Sequence, residues 1–289
     1  MSELRVDAND RPAQVPANGV GSASGVFVVV AALVLIAIAV AYWFFGRELA
    51  SPAPEVDVPT AVDSSVVVDD ETPAFPVPEL LPERAATGDL MPLPALDDSD
   101  RYFELSLADI LGSGVVEILV DDALIEKFVA TIDNLPRATV AERIRPVGRL
   151  QRPFAADGQD GSGEFMLNPA NYDRYDLLVA MLSRADQGAL VDTYRRFYPL
   201  FQEAYEELGY PDRYFNDRVI EVIGHLLDTP EVDQPVLLVQ PNVLFEYADP
   251  ALESLSAGQK LMIRVGPEHA VRVKQFLEEM RDRLVFETQ

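Results

Sequence analysis

Seven of the ten tyrosines fall between positions 172 and 214, together with Phe197, Phe201 and Phe215. Tyrosine joins a flat apolar body to a polar tip, so a groove lined this way stacks on sugars or grips an extended peptide. The same stretch obeys a second rule. Leu190, Tyr194, Phe197, Tyr198, Phe201, Tyr205 and Leu208 recur at i, i+3 and i+4, the spacing of a core-facing helical stripe, and that reading is favoured. Arg174, Arg195, Arg196, Arg213 and Arg218 interleave with the rings, and their planar forks suit an anion-recognition patch for carboxylates. With Asp173, Asp176, Asp192, Asp212 and Asp217 beside them, local ion pairing is the simpler expectation. The candidates for a ligand or partner surface are Tyr172, Arg174, Tyr175, Arg195, Arg196, Asn216 and Arg218.

Glu203, Glu206, Glu207 and Glu221 are the carboxylates near this stretch from which a glycosidase acid and base could be drawn. That chemistry needs two carboxyls facing one cleft with their pKa values pushed apart, and helical spacing favours a solvated face instead. The loop Asp157-Gly-Gln-Asp160-Gly-Ser-Gly163-Glu164 hints at calcium but lacks the alternate ligands and the twelfth-position glutamate of an EF-type site. His225 and His269 are the only histidines, and neither has a serine at diagnostic spacing, so both read as structural. No Gly-x-Gly-x-x-Gly, P-loop or His-Glu-x-x-His is present, and no cofactor is expected. The absence of cysteine excludes disulfides, thiolate metal sites and a cysteine nucleophile. A net charge of -25 argues against nucleic acid as a partner, because phosphate backbones call for a basic face.

These residues are positioned by a chain in four parts. Residues 26–45 carry no charge, and at about 1.5 Å rise per residue 20 helical residues span roughly 30 Å, a bilayer's hydrocarbon core. Tyr42 and Trp43 stand at its end, where amphipathic rings favour the headgroups. A cleaved signal would have a basic start and a small-residue cleavage site, which do not stand out here. Arg5 and Arg11 before the span against Arg47 after it favour residues 1–25 as a cytoplasmic tail. Residues 46–96 form a linker: from 48 to 96 there are nine prolines, ten acids and one base, a composition that cannot bury enough apolar surface to order itself. As a coil it reaches about 40 Å. Residues 97–289 have the composition of one globular domain.

Within that domain Asp97, Asp98, Ser99 and Asp100 are expected to supply capping oxygens ahead of a helical run over 102–111, and Leu124, Ile125, Phe128, Val129 and Ile132 predict a second helix stopped by Pro136. Segments 147–154 and 164–167 predict a hairpin. Asn168 and Pro169 open a helix to 183, and Pro199 should kink or break the next, over 186–208. Asn216 is expected to cap a helix to 227, segments 236–239, 243–247 and 260–265 to form strands, and Pro267 to open a last helix. The expected class is α+β, mostly helical with a small antiparallel sheet.

Several words of sequence together resemble a domain-of-unknown-function family of Gram-negative bacterial proteins with one amino-terminal membrane helix. They are Ile132-Asp-Asn-Leu135, Asn171-Tyr-Asp-Arg-Tyr175, Tyr194-Arg-Arg-Phe-Tyr-Pro199, Leu208-Gly-Tyr-Pro211, Phe215-Asn-Asp-Arg218, Asp249-Pro-Ala-Leu-Glu253, Gln259-Lys260 and Arg264-Val-Gly-Pro267. The resemblance covers roughly 90–284. It implies an envelope location and supplies no catalytic residue.

The resulting expectation is a single-pass protein of the bacterial inner membrane. The bilayer is its partner through the span, and its periplasmic domain is a non-enzymatic module for a periplasmic protein or the cell wall. The alternatives are a wall glycan hydrolase built on Glu203 or Glu221, and a domain on the cytoplasmic side.

Overall fold

The computed structural model describes residues 72–78, 92–148, 153–158, 163–242 and 244–286. The expected span at 26–45 and most of the linker lie outside the described residues, among which no helix is long and apolar enough to cross a membrane.

Helix α1 (Asp100–Leu111) begins without a side-chain cap from Ser99. The Asp100 carboxylate is turned elsewhere: it accepts hydrogen bonds from the backbone N–H groups of Ala123 at 2.8 Å and Leu124 at 2.7 Å. Those donors open α2 (Leu124–Asn134), whose own N-cap, Ala123, has φ 49° and no oxygen to offer. One helix thus closes the orphan donors of the next, and its charge favours the positive end of that helix. The expectation that the acids at 97–100 cap their own helix is corrected at Asp100 by this geometry.

Asn168 accepts from Ala170 N at 2.8 Å and starts a 3-10 turn, Pro169–Tyr175, which runs into α3 (Asp176–Arg184). Asp186 caps α4 (Gln187–Glu207) through Gly188 N and Ala189 N, and the helix passes through Pro199 without ending. Pro199 is on the exposed side, so the carbonyl it leaves unpaired can be hydrated while the buried stripe holds the helix on both sides. In α5 (Phe215–Leu227) the N-cap position is Tyr214, and Asn216 is inside the helix and fully buried, not its cap.

The sheet is antiparallel, in the order β1 (Ala156–Gly158), β2 (Glu164–Leu167), β3 (Leu237–Val239), β4 (Glu246–Tyr247). Asp157 faces Met166, and Met166 faces Leu237 on its other side. The hairpin therefore exists, but its first strand lies at 156–158 and not within 147–154; Val147 instead bridges Leu119. After the short α6 (Pro250–Glu253) comes α7 (Ala257–Arg264), where a strand was expected over 260–265. Ile263 and Val265 suggest a strand, but Ser256 and Gln259 form a capping box that decides for helix. Helix α8 (Pro267–Leu284) is the last helix among the described residues.

Tyr194, Phe197, Phe201 and Tyr205 are at most 2% exposed. Phe201 sits among Phe103 at 5.7 Å, Phe128 at 5.4 Å, Tyr194 at 5.5 Å and Phe215 at 5.9 Å between ring centroids, joining α1, α2, α4 and α5. The stripe is core and lines no open groove, although Tyr198 is half-buried and Leu208 is exposed. A second, smaller apolar cluster of Leu167, Val236, Leu238, Tyr247 and Ile263 holds the sheet against α7. The architecture is α+β, mostly helical.

Candidate functional site

Residues 72–78, expected within the linker, lie on the domain as an extended strap. The Asp217 carboxylate takes two successive backbone N–H groups, Ala74 on Oδ2 at 2.9 Å and Phe75 on Oδ1 at 2.8 Å. Asn216 donates its Nδ2 to Phe75 O at 2.8 Å and to Leu284 O at 3.3 Å, tying strap, α5 and the end of α8 together. Arg195 donates Nε and one terminal nitrogen to Pro78 O, both at 3.3 Å, and its guanidinium lies 5.5 Å from the centre of the Phe286 ring. Phe75 and Val77 are half-buried against the main core.

The chain is suited to this pose. Pro73, Pro76 and Pro78 have no N–H, so within 73–78 only Ala74, Phe75 and Val77 can donate, and Asp217 receives the one adjacent pair. Charge-assisted bonds of this kind are roughly twice as strong as neutral ones. Asn216 Oδ1 and, on α4, the Tyr194 hydroxyl are buried without a hydrogen-bond partner among the described residues. Burial raises the Tyr194 phenol well above its ordinary pKa, with the Tyr198 and Asp217 charges adding to it, so it stays a neutral donor. An open cleft of about 480 Å³ adjoins the Arg195 end, lined by Asp186, Val191, Asp192, Arg283 and Phe286 among others.

Of the seven sequence-derived candidates, Arg195 and Asn216 meet on the strap; the other five do not join them. Arg218 clamps α5 to α2: its Nε donates to Asp133 Oδ1 at 3.0 Å, and its terminal nitrogens reach Asp133 O at 2.7 Å and Glu221 Oε2 at 2.7 Å. Although burial pulls the Arg218 pKa down, Glu221 and Asp133 raise it on balance. Arg137 at 2.9 Å and Tyr210 at 3.3 Å complete the bonds to Asp133 Oδ2. Arg196 lies 5.9 Å from the Phe197 ring centre, and burial lowers its pKa. Tyr175 is buried in the main core, while Arg174 donates to Asn171 Oδ1 at 3.2 Å. Tyr172 covers Gly266, where φ is +89° and a Cβ would come within 2.6 Å of the ring, and its hydroxyl donates to Gln234 at 2.9 Å. Arg218 forms ion pairs with Asp133 on α2 and, one turn along its own helix, with Glu221, rather than with the neighbouring Asp212 and Asp217.

The carboxylates proposed for hydrolysis do not converge. Glu203, Glu206 and Glu207 are exposed on α4, Glu221 is held by Arg218, and none lines the cleft beside Arg195. Ser256, which the sequence does not single out, is brought to His225: His225 Nε2 lies 2.8 Å from Ser256 Oγ, the contact with which a serine–histidine dyad begins. Ser256 Oγ also accepts Gln259 N at 3.1 Å, so the hydroxyl serves the start of α7. His269 contacts Val265 O at 3.0 Å and Asp176 at 3.1 Å, also a structural position. Half of the 157–164 loop lies outside the described residues; among those described, no group of three His, Cys, Asp or Glu could hold a metal.

A helical domain with a small sheet, carrying a docked extended segment, is the class that fold and site define. The chain belongs to DUF3014, a protein family of unknown function that matches residues 124–281. The match contains Arg195, Asn216 and Asp217 and leaves the strap outside. No curated protein and no solved structure matches the chain.

Proposed function

We propose that the chain is a single-pass inner-membrane protein of Gram-negative bacteria, anchored by residues 26–45. Its domain lies on the periplasmic side and serves as a non-enzymatic binding or assembly module for a periplasmic protein or the cell wall. The observation that carries the binding part is the strap: the domain surface holds an extended peptide through bonds to main-chain atoms, as peptide-recognition modules do. The uncharged span and the arginines before it support the anchor and its orientation. The acidic, proline-rich chain between them supports a search radius that raises the domain's effective concentration near envelope targets.

A reporter fused after Gln289 tests the location; activity only on the cytoplasmic side would sink it. Deleting residues 48–70, which spares the strap, tests reach. The shortened chain is expected to show the phenotype of a full deletion, and wild-type behaviour would count against a tethered role.

A further inference from the structure

We infer that the surface formed by Arg195, Asn216 and Asp217 is a recognition site for a proline-flanked peptide of another envelope protein, and that residues 72–78 occupy it as a competing internal ligand. The inference rests on the binding-module reading and deepens it by naming the partner's chemistry.

Three observations define that chemistry. Asp217 needs two consecutive N–H donors, which Ala74 and Phe75 supply between Pro73 and Pro76. Asn216 and Arg195 read carbonyls of Phe75 and Pro78, three residues apart on an extended chain. Phe75 and Val77 fill the apolar part. The motif is therefore Pro-small-aromatic-Pro-aliphatic-Pro. Its prolines restrict the free chain to extended forms, which lowers the entropy lost on binding. The bonds from Asp217, Asn216 and Arg195 to Ala74, Phe75 and Pro78 all go to main-chain atoms, so a different chain with the same donors and prolines satisfies them equally. The occupant lies outside the family-matched segment that supplies the receptor residues, as expected where the domain and its ligand are separable. The cleft extends the site beyond the internal ligand: Arg195 is one turn of α4 from Val191 and Asp192 in its wall, and Phe286 belongs to both.

Because the internal strap is covalently attached, its effective concentration is of millimolar order, and a partner must outcompete it. The test uses the full chain in detergent and a fluorescent synthetic peptide of residues 71–80. Wild type should bind it at least about tenfold more weakly than a full chain whose residues 72–78 are replaced by a Gly/Ser stretch of equal length. In the replaced chain, Asp217→Asn should weaken binding more than about tenfold. A peptide N-methylated at the Phe75 position, which lacks that donor, should lose binding where a merely greasy association would not.

Cooperative thermal unfolding checks that the replaced chain is folded. If it is not, wild type carrying protease sites at 70 and 85 is cut while its strap is seated, and exchange of the freed strap for labelled peptide is measured. No saturable binding up to about 1 mM by folded protein, or binding indifferent to Asp217→Asn and to N-methylation, overturns the inference. Cross-linking of the strap to a second copy in the intact chain overturns it in favour of exchange between copies. None of these readouts depends on which side of the membrane the domain lies, so failure here and failure of the envelope reading are separable.

Discussion

Replacing Asp133 by alanine removes the centre of the joint between α2 and α5. The side chain is 3% exposed and accepts three bonds, from Arg218, Arg137 and Tyr210. The Arg137 arm is 55% exposed and is worth at most about 1 kcal/mol. The Arg218 arm is 18% exposed, and breaking such a pair costs roughly 3–5 kcal/mol when the abandoned charge has no other partner. Arg218 keeps Glu221 and the Asp133 carbonyl, which lowers its share to about 2–3 kcal/mol. The expected loss for Asp133→Ala is therefore about 3 kcal/mol, read as a shift in urea midpoint at unchanged slope. In a double-mutant cycle, Asp133→Ala should couple to Arg218→Met by at least about 1.5 kcal/mol and to Arg137→Met by less than about 0.5 kcal/mol. A loss under 1 kcal/mol, or equal coupling to both arginines, refutes the assignment of Arg218 as the buried clamp.

Four further outcomes follow from the same geometry. Gly266→Ala should lower stability by about 1–3 kcal/mol, with partial recovery in combination with Tyr172→Ala, because the new Cβ meets that ring while the backbone strain remains. Ser256→Ala should cost about 1 kcal/mol by uncapping α7, measured by thermal unfolding. Burial holds His225 below its ordinary pKa, against the pull of Asp228. The unfolded chain then takes up that proton first, so stability falls as pH drops below about 6.5, and His225→Gln should flatten this part of the melting profile between pH 7.5 and 5.5. Phe201→Ala should cost about 3–5 kcal/mol, since four rings lose their common neighbour.

The sequence made the helices legible wherever an apolar stripe ran for more than two turns: Leu124 to Ile132 and Leu190 to Tyr205 are buried as their spacing requires. It misled where two local signals competed, as at 260–265, where β-branched residues obscured the Ser256 and Gln259 capping box. The sequence singles out Arg195 and Asn216 for their side-chain chemistry, but the contact that unites them in the structure is of another kind. The strap is held by carbonyls and N–H groups of Ala74, Phe75 and Pro78, and main-chain atoms leave no pattern in side-chain chemistry. The pairing of His225 with Ser256 was equally invisible, since two helices must first be brought together across 31 positions.

The loan of the Asp100 carboxylate to the start of α2 bears on how this protein is cut for experiment. A fragment trimmed to the family boundaries, 124–281, would discard the group that closes its own first turn, along with Phe103 and Leu107 from the interior and Leu284 at the far end. Such a truncation would fray at its leading edge and expose grease at both termini. A fragment that keeps the strap together with the residues that hold it must open ahead of Thr72 and run to Phe286.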